Sequence, residues 1–505
     1  MRKIVALVLA LCMMLGLSSV SALAESANVL KYGTDAEPVG FDPHTISAVA
    51  SIRMINQMYN QLVDVDEDLN VIPELAESWE QPNETTYVFH LRKGVKFHNG
   101  REMTATDVVY SFERILSPDL GALGNSGNYF NMISSMEAVD DYTVKFVLSS
   151  INAPFLANLS STYASIVCKE VVEENKGDIL RADAGTGPYT LGEWVPDNRV
   201  VLNGVKDFYL EGQPTFDSIE YYVMTDMSAR LAALRTGQVQ LIVGNASSVP
   251  LVSGDSNIQV LSYQSRNYQT LCLNLSLDVF KDVRVRQAIS LAVSRDEILD
   301  LVYDGQAVIS GFAPASMGHW AVEVKDHPLY QQDIEKAKAL MAEAGYANGF
   351  EVTLTTGLLD TLRDLATVLQ QQLAEIGITV KVENVENAQY IDQWNNKSFQ
   401  MMVCQNGAGS DPSRAVAFFF STGGAANIAG YSNARVDELC ALGAGTTDTE
   451  ARRGYYQEAM NIILEECPNV TFASPMDYFF ARKELTGFTP NASNANDFSK
   501  ATLTK

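Results

Sequence analysis

The stretch FEVTLTTGLLDTLRDLATVLQQQLAEIGITVKVENVENAQYIDQWNNKSFQMMVCQNGAGSD, residues 350–411, decides the fold. Residues 352–356 read as a strand, 361–376 as a helix closed by Gly377, and 378–385 as a second strand. A shorter helix over 388–395 leads to a third strand over 400–404. Just upstream, Asp333 caps a helix that ends at Gly345. Strand, helix, strand, helix, strand at these lengths makes right-handed crossovers and a parallel sheet. Ligands of such sheets sit beyond the carboxyl ends of the strands. That rule puts three loops on one rim: 356–363, 384–387 and 405–414.

Working outward, residues 75–115 form a second compact scaffold. Tyr87, Phe89 and Leu91 alternate with Val88 and His90, as a strand over 85–91 requires. Lys93-Gly94 breaks the run, and Val95, Lys96 and Phe97 resume it as a second strand. Asn99-Gly100 supplies a tight turn. Thr104 or Thr106 caps a helix that carries Val108, Val109, Phe112 and Ile115 and stops at Ser117-Pro118. Further helices are predicted over 46–59, 228–240, 282–301, 436–442 and 450–465, and strands over 29–32, 142–148, 241–243 and 267–274.

A chain of 505 residues exceeds one core and implies two to four domains. Arg2-Lys3, the apolar run 4–17 and Ala22-Leu23-Ala24 have the form of an export signal cleaved after Ala24. The run is short for a membrane span, and Cys12 lacks the surroundings of a lipid-attachment site. A net charge of −25 disfavours nucleic acid and anionic lipid as partners. Cys168, Cys272, Cys404, Cys440 and Cys467 have neither zinc nor redox spacing. They read as buried thiols, with Cys272 and Cys404 able to pair if their strands are neighbours. The five histidines show no ligand spacing. Residues 64–70, DVDEDLN, imitate a calcium loop, but Leu69 stands at the obligatory glycine and Leu75 at the twelfth position, so a hairpin tip is expected. No nucleotide-binding, Gly-x-Ser-x-Gly or His-Glu-x-x-His motif occurs, so neither a cofactor nor a metal is expected.

Ala76-Glu77-Ser78-Trp79, the run LRKGVKFHNG at 91–100 and TATDV at 104–108 resemble, in order, the signature of the family 5 extracellular solute-binding proteins. The loop GTDAEPVGFDP at 33–43, GTGPY at 185–189, NYQTLCLN at 267–274 and the helix string at 282–301 extend the resemblance. So do the glycine-rich string at 418–424 and GYSN at 430–433. Glu102-Met103 departs from the family's Pro and apolar residue.

The resemblance implies an α/β, bilobal periplasmic-binding-protein fold, class II and of the large type. Its mixed sheets carry helices on both faces. The expected layout is a signal peptide over 1–24, a first lobe over 25–67, 185–266 and 478–505, an extra subdomain over 68–184, and a second lobe over 267–477. The implied function is non-catalytic capture of a small solute, a peptide above all, in the interlobe cleft and delivery to an ABC permease by a monomer. Sugars and metal chelates are alternative ligands; an exported hydrolase or a sensor ectodomain is an alternative function.

Asp35, Glu37, Thr186, Gly187, Tyr268, Arg363, Gln405, Asn406 and Asp411 are the ligand contacts that the resemblance and the rim geometry single out. In peptide-binding members an arginine near the position of Arg363 holds the ligand carboxylate; the alternative here is a surface pair with Asp360 or Asp364. Those members carry a Trp near Gln405 and an amino-binding Asp at the position of Ala408. Asp411, Asp35 or Glu37 then have to supply the missing charge, unless Asp411 only ends a turn before Pro412.

Overall fold

The computed structural model describes residues 28–120, 129–357, 359–492 and 496–504. The export signal expected over 1–24 and the glycine-rich loop 121–128 lie outside the described residues. No helix among the described residues is long and apolar enough to cross a membrane.

Three larger sheets organise the chain. In the first, Val29–Thr34 is central, with Ser218–Val223 and Leu241–Val243 parallel on either side. Arg199–Gly204 and Tyr189–Val195 continue one flank, Ala473–Arg482 and Ile258–Gln264 the other. The second sheet is the one expected from residues 350–411. Phe350–Thr356 lies between Ile378–Asn384 and Met401–Gly407, all parallel. Asn267–Leu273 and then Asn469–Thr471 add antiparallel to Met401–Gly407. The connecting helices are Asp360–Ala374 and Asn387–Asn396.

The third sheet is antiparallel, in the order Ala76–Asn83, Thr86–Leu91, Thr143–Leu148, Ile133–Asp140. Helix Ala105–Leu116 packs on it through Phe112, whose ring meets that of Phe146 edge-on at 5.1 Å. Thr104 and Asp107 form the capping box at its start. Arg101 grips the Asp107 carboxylate with both Nη atoms, at 2.9 and 2.5 Å, fixing the approach to the helix.

Two expectations are corrected. Residues 95–97 are not a strand: a single bridge joins Lys96 to Glu102 around the left-handed Gly100. The partner of Thr86–Leu91 is instead Ala76–Asn83, an edge strand. Its polar, mostly exposed residues and Pro82 give no alternating signal, which is how edge strands resist further pairing. Second, the expected helix over 282–301 is two, Val283–Ala292 and Arg295–Tyr303. Val293 is extended, and Ser294 caps the second helix by accepting from the Glu297 N–H at 3.3 Å. The break is held by buried Arg295. Its guanidinium donates to the Thr471 carbonyl at 2.9 Å and to the Ser290 hydroxyl at 3.0 Å, and lies 3.9 Å over the Tyr330 ring.

The 64–70 segment is a hairpin tip. Val63–Val65 pairs with Val71–Pro73, and Asp66 accepts N–H bonds from Asp68 and Asn70. The five cysteines among the described residues are free and buried. The strands of Cys272 and Cys404 are neighbours, but Thr270 lies opposite Cys404 and Met402 opposite Cys272.

Candidate functional site

Two of the passages between the first and second sheets run directly from strand to strand. Ile258–Gln264 continues through Ser265-Arg266 into Asn267–Leu273, and Asn469–Thr471 continues through Phe472 into Ala473–Arg482. The two passages are tied together. Ser265 donates its N–H to the Pro475 carbonyl at 2.9 Å, and its own carbonyl accepts the Ser474 hydroxyl at 2.7 Å and the Ser316 hydroxyl at 2.9 Å. Phe472 N–H donates to the Gln269 carbonyl at 3.1 Å. Two adjacent joints this short form a hinge.

Of the three rim loops, the one after Met401–Gly407 reaches across this hinge. The reason is strand order. Gly407 pairs with Asn267, immediately beyond the first passage, whereas Phe350–Thr356 and Ile378–Asn384 lie one and two strands farther out. Each strand adds about 4.8 Å of separation.

Residues 409–414 wall two cavities between the lobes. One, of about 250 Å³, is closed by Asn56, Asp64, Glu74, Tyr129 and Thr162 from the chain before the hinge and by Arg414 from the chain after its first passage. The other, of about 270 Å³, has Tyr87 and Leu156 facing Trp320 and Arg452. Ser410 and Asp411 separate the two. A third cavity of about 280 Å³ lies behind Pro73 and Pro214, has no wall from 267–477, and shares Asp64 and Glu74 with the 250 Å³ cavity. Of these three, the first two draw walls from both sides of the hinge.

Asp411 is 4 % exposed and receives the guanidinium of Arg452, itself buried, at 2.9 and 3.0 Å. Its other task is local: it accepts the Ser413 N–H at 2.9 Å and caps the short helix Pro412–Ala415. Arg452 also lies 5.1 Å over the Trp320 ring. Opposite, Glu74 accepts Asn60 Nδ2 at 2.6 Å and the Gln61 N–H at 3.2 Å. Burial, with Asp64 close by, pushes its carboxyl up to about 8. Asp64 is also raised, mainly by burial, so the first-lobe wall holds an acid pair with one carboxyl protonated at neutral pH.

The other expected contacts are placed as follows. Asp35 is ion-paired with Arg53; burial lifts its carboxyl, but Arg53 outweighs this and leaves it below the usual range. Glu37 accepts Trp194 Nε1 at 2.6 Å and the Asp197 N–H at 3.2 Å, pinning its loop to the neighbouring hairpin. Thr186 is buried and donates to Asn60 Oδ1 at 3.2 Å. Gly187 donates its N–H to the Met58 carbonyl at 2.9 Å. Tyr268 is fully buried, edge-on to Phe312 and Phe419. Gln405 is exposed and accepts Gln269 Nε2 at 3.0 Å; Asn406 stands opposite Tyr268 in the sheet. Arg363 occupies the first helical turn, half-exposed and paired with Asp360.

The Gly185-Thr186-Gly187 run has a packing cause. A Cβ on Gly185 would lie 1.8 Å from the Met58 carbonyl oxygen, and one on Gly187 2.5 Å from that of Gln57. The segment therefore seats against the end of helix Val49–Met58, whose residue Asn56 lines the cleft. Gly185→Ala is expected to cost about 1–3 kcal/mol by overpacking against backbone; a urea midpoint unchanged from wild type would show that the contact relaxes freely.

Arg452, Arg414, Asn56, Asp64 and Glu74 were not singled out as contacts from sequence. Arg452 is distant from Asp411 along the chain, and no local pattern joins them. Arg414 belongs to the third rim loop, which marked the region but not the residue.

Two α/β lobes joined by a two-strand hinge, with cavities walled from both sides, define a hinged solute-binding protein. The family model described as bacterial extracellular solute-binding proteins, family 5, matches residues 70–427, and the chain belongs to that family. The dipeptide-binding protein of Escherichia coli K12 is 30% identical, over 97% of this chain and 98% of that protein. Among solved structures, the periplasmic binding protein DppA of Helicobacter pylori, in complex with the peptide STSA, superposes with a TM-score of 0.82 at 28% identity. That match covers 96% of this chain and 100% of the other. The AgaA protein of Agrobacterium tumefaciens R10, bound to agropinic acid, gives 0.81 at 26% identity over 94% and 99% of the two chains.

Proposed function

We propose that this chain captures a peptide or peptide-like solute between its lobes and presents it to an ABC importer, without chemistry on the solute. The observation that carries this reading is the 250 Å³ polar cavity whose walls come from both sides of the hinge. A ligand held by both walls binds the closed form better than the open one, and that difference drives closure. The likeness to peptide-binding relatives supplies the solute class. The lobes pivot at 265–266 and 472, and the subdomain 68–184 moves with the first lobe. The protein works outside the cytoplasm as a monomer, after removal of residues 1–24.

Thermal shift with pools of di- to tetrapeptides tests this. A binder present at a hundredfold excess over Kd stabilises the protein by about 2.7 kcal/mol. A melting temperature indifferent to every peptide pool, or turnover of a chromogenic ester, would refute the proposal.

A further inference from the structure

The charges on the cleft walls are unequal, and the inequality orients the ligand. On the second-lobe wall Asp411 is already neutralised by Arg452. Arg414 is not neutralised in the same way. No ion pair joins it to a carboxylate among the described residues. Its guanidinium lies 3.8 Å over the Phe418 ring and 5.6 Å from the centre of the Tyr129 ring across the cleft. Its stem is packed under Gly409: a Cβ there would fall 2.8 Å from Arg414 Cγ. Gly409, at φ +74°, takes the left-handed turn that lets the loop close over this stem. The arginine is thus preset before any ligand arrives, and its forked donors remain available at the edge of the stacked plane.

The first-lobe wall of the same cavity is the opposite. It carries the acid pair Asp64 and Glu74, and Glu74 already spends its oxygens on Asn60 and Gln61. An anionic group placed there would meet like charge; placed against Arg414 it meets a planar cation fitted to a carboxylate.

We infer that Arg414 is the specificity-determining residue that receives the ligand's carboxylate, so that the solute lies with its anionic end on the second lobe. This rests on the peptide reading above. A carboxylate there forms paired N–H···O bonds with the guanidinium while the arginine keeps its place on Phe418, and it draws the loop 409–414 toward Tyr129.

Isothermal titration with two pools of the same tripeptides, one with free C-terminal carboxylates and one amidated, tests the inference on the wild-type chain and on Arg414→Gln and Arg414→Lys. The expected result is at least tenfold weaker binding of the amidated pool by wild type. Arg414→Gln should lose that preference by weakening for the free carboxylates, with Arg414→Lys in between. Equal binding of both pools by wild type, or an unchanged preference in Arg414→Gln, overturns the inference and leaves peptide capture standing. Binding of neither pool by wild type overturns peptide capture and this inference with it. One arm needs no variant to fold: equal binding of the two pools by wild type overturns the inference by itself.

Discussion

Arg452→Met will destabilise the chain by about 3–5 kcal/mol, because it leaves the Asp411 carboxylate buried with no cation beside it. Asp411→Asn will cost a comparable amount from the other side, stranding the guanidinium between Trp320 and the cleft wall. The double variant will recover much of the loss, since it leaves no unpaired ion buried. Urea unfolding of the four proteins measures the cycle. Single variants within about 1 kcal/mol of wild type would mean that the pair behaves as a surface salt bridge. The pair also anchors the loop carrying Ser410 and Arg414, so the single variants are expected to bind solute more weakly than their stability alone explains.

The second large effect is a dependence on pH set by Glu74. Its carboxyl titrates near 8 in the folded chain against an ordinary value of 4.5. Between these values the folded protein keeps a proton that the unfolded chain has lost. Stability from this group is therefore fully present below pH 4.5 and is lost as pH rises through about 8. Its electrostatic coupling to Asp64 makes this a property of the pair, on the order of 3 kcal/mol across the window. His44 works in the opposite sense: burial, then the neighbouring Arg114, lowers it to about 4, so its contribution is lost as pH falls below 6.5. Glu74 stands clear of it above pH 6.5. Glu74→Gln is expected to flatten the fall in urea midpoint between pH 6.5 and 8.5. A fall as steep in the variant as in wild type would assign the effect elsewhere.

Local pattern carried the fold a long way. The parallel sheet over 350–411 followed from spacing and apolar runs, because helix Asp360–Ala374 and the start of strand Ile378–Asn384 are buried on one face and record it as a period, while Met401–Cys404 is an unbroken apolar run buried on both. Where burial leaves no such record, the reading failed. Ala76–Asn83 is an edge strand, exposed along most of its length, and has no apolar alternation to detect. The break at Val293-Ser294 interrupts an apolar stripe without interrupting its spacing, and what stabilises it is Arg295 reaching carbonyls distant in sequence. The Ser294-to-Glu297 cap was the one local signal of that break.

The site divides along the same line. Residues 1–505, read in order, determined a mixed α/β chain with a parallel sheet, three loops on its rim and no motif for catalysis or metal. Which loop meets the first lobe was decided by strand order, since only the strand paired to Asn267 ends beside the hinge. Which charges remain for a solute was decided by pairing in space. Arg363 is taken up by Asp360 and Asp411 by Arg452, while Arg414 is stacked on Phe418 with no carboxylate ion-paired to it among the described residues. Period along a chain reports burial of one face; it carries no information about which distant charge will be brought within three ångströms, and that is set only when the lobes pack.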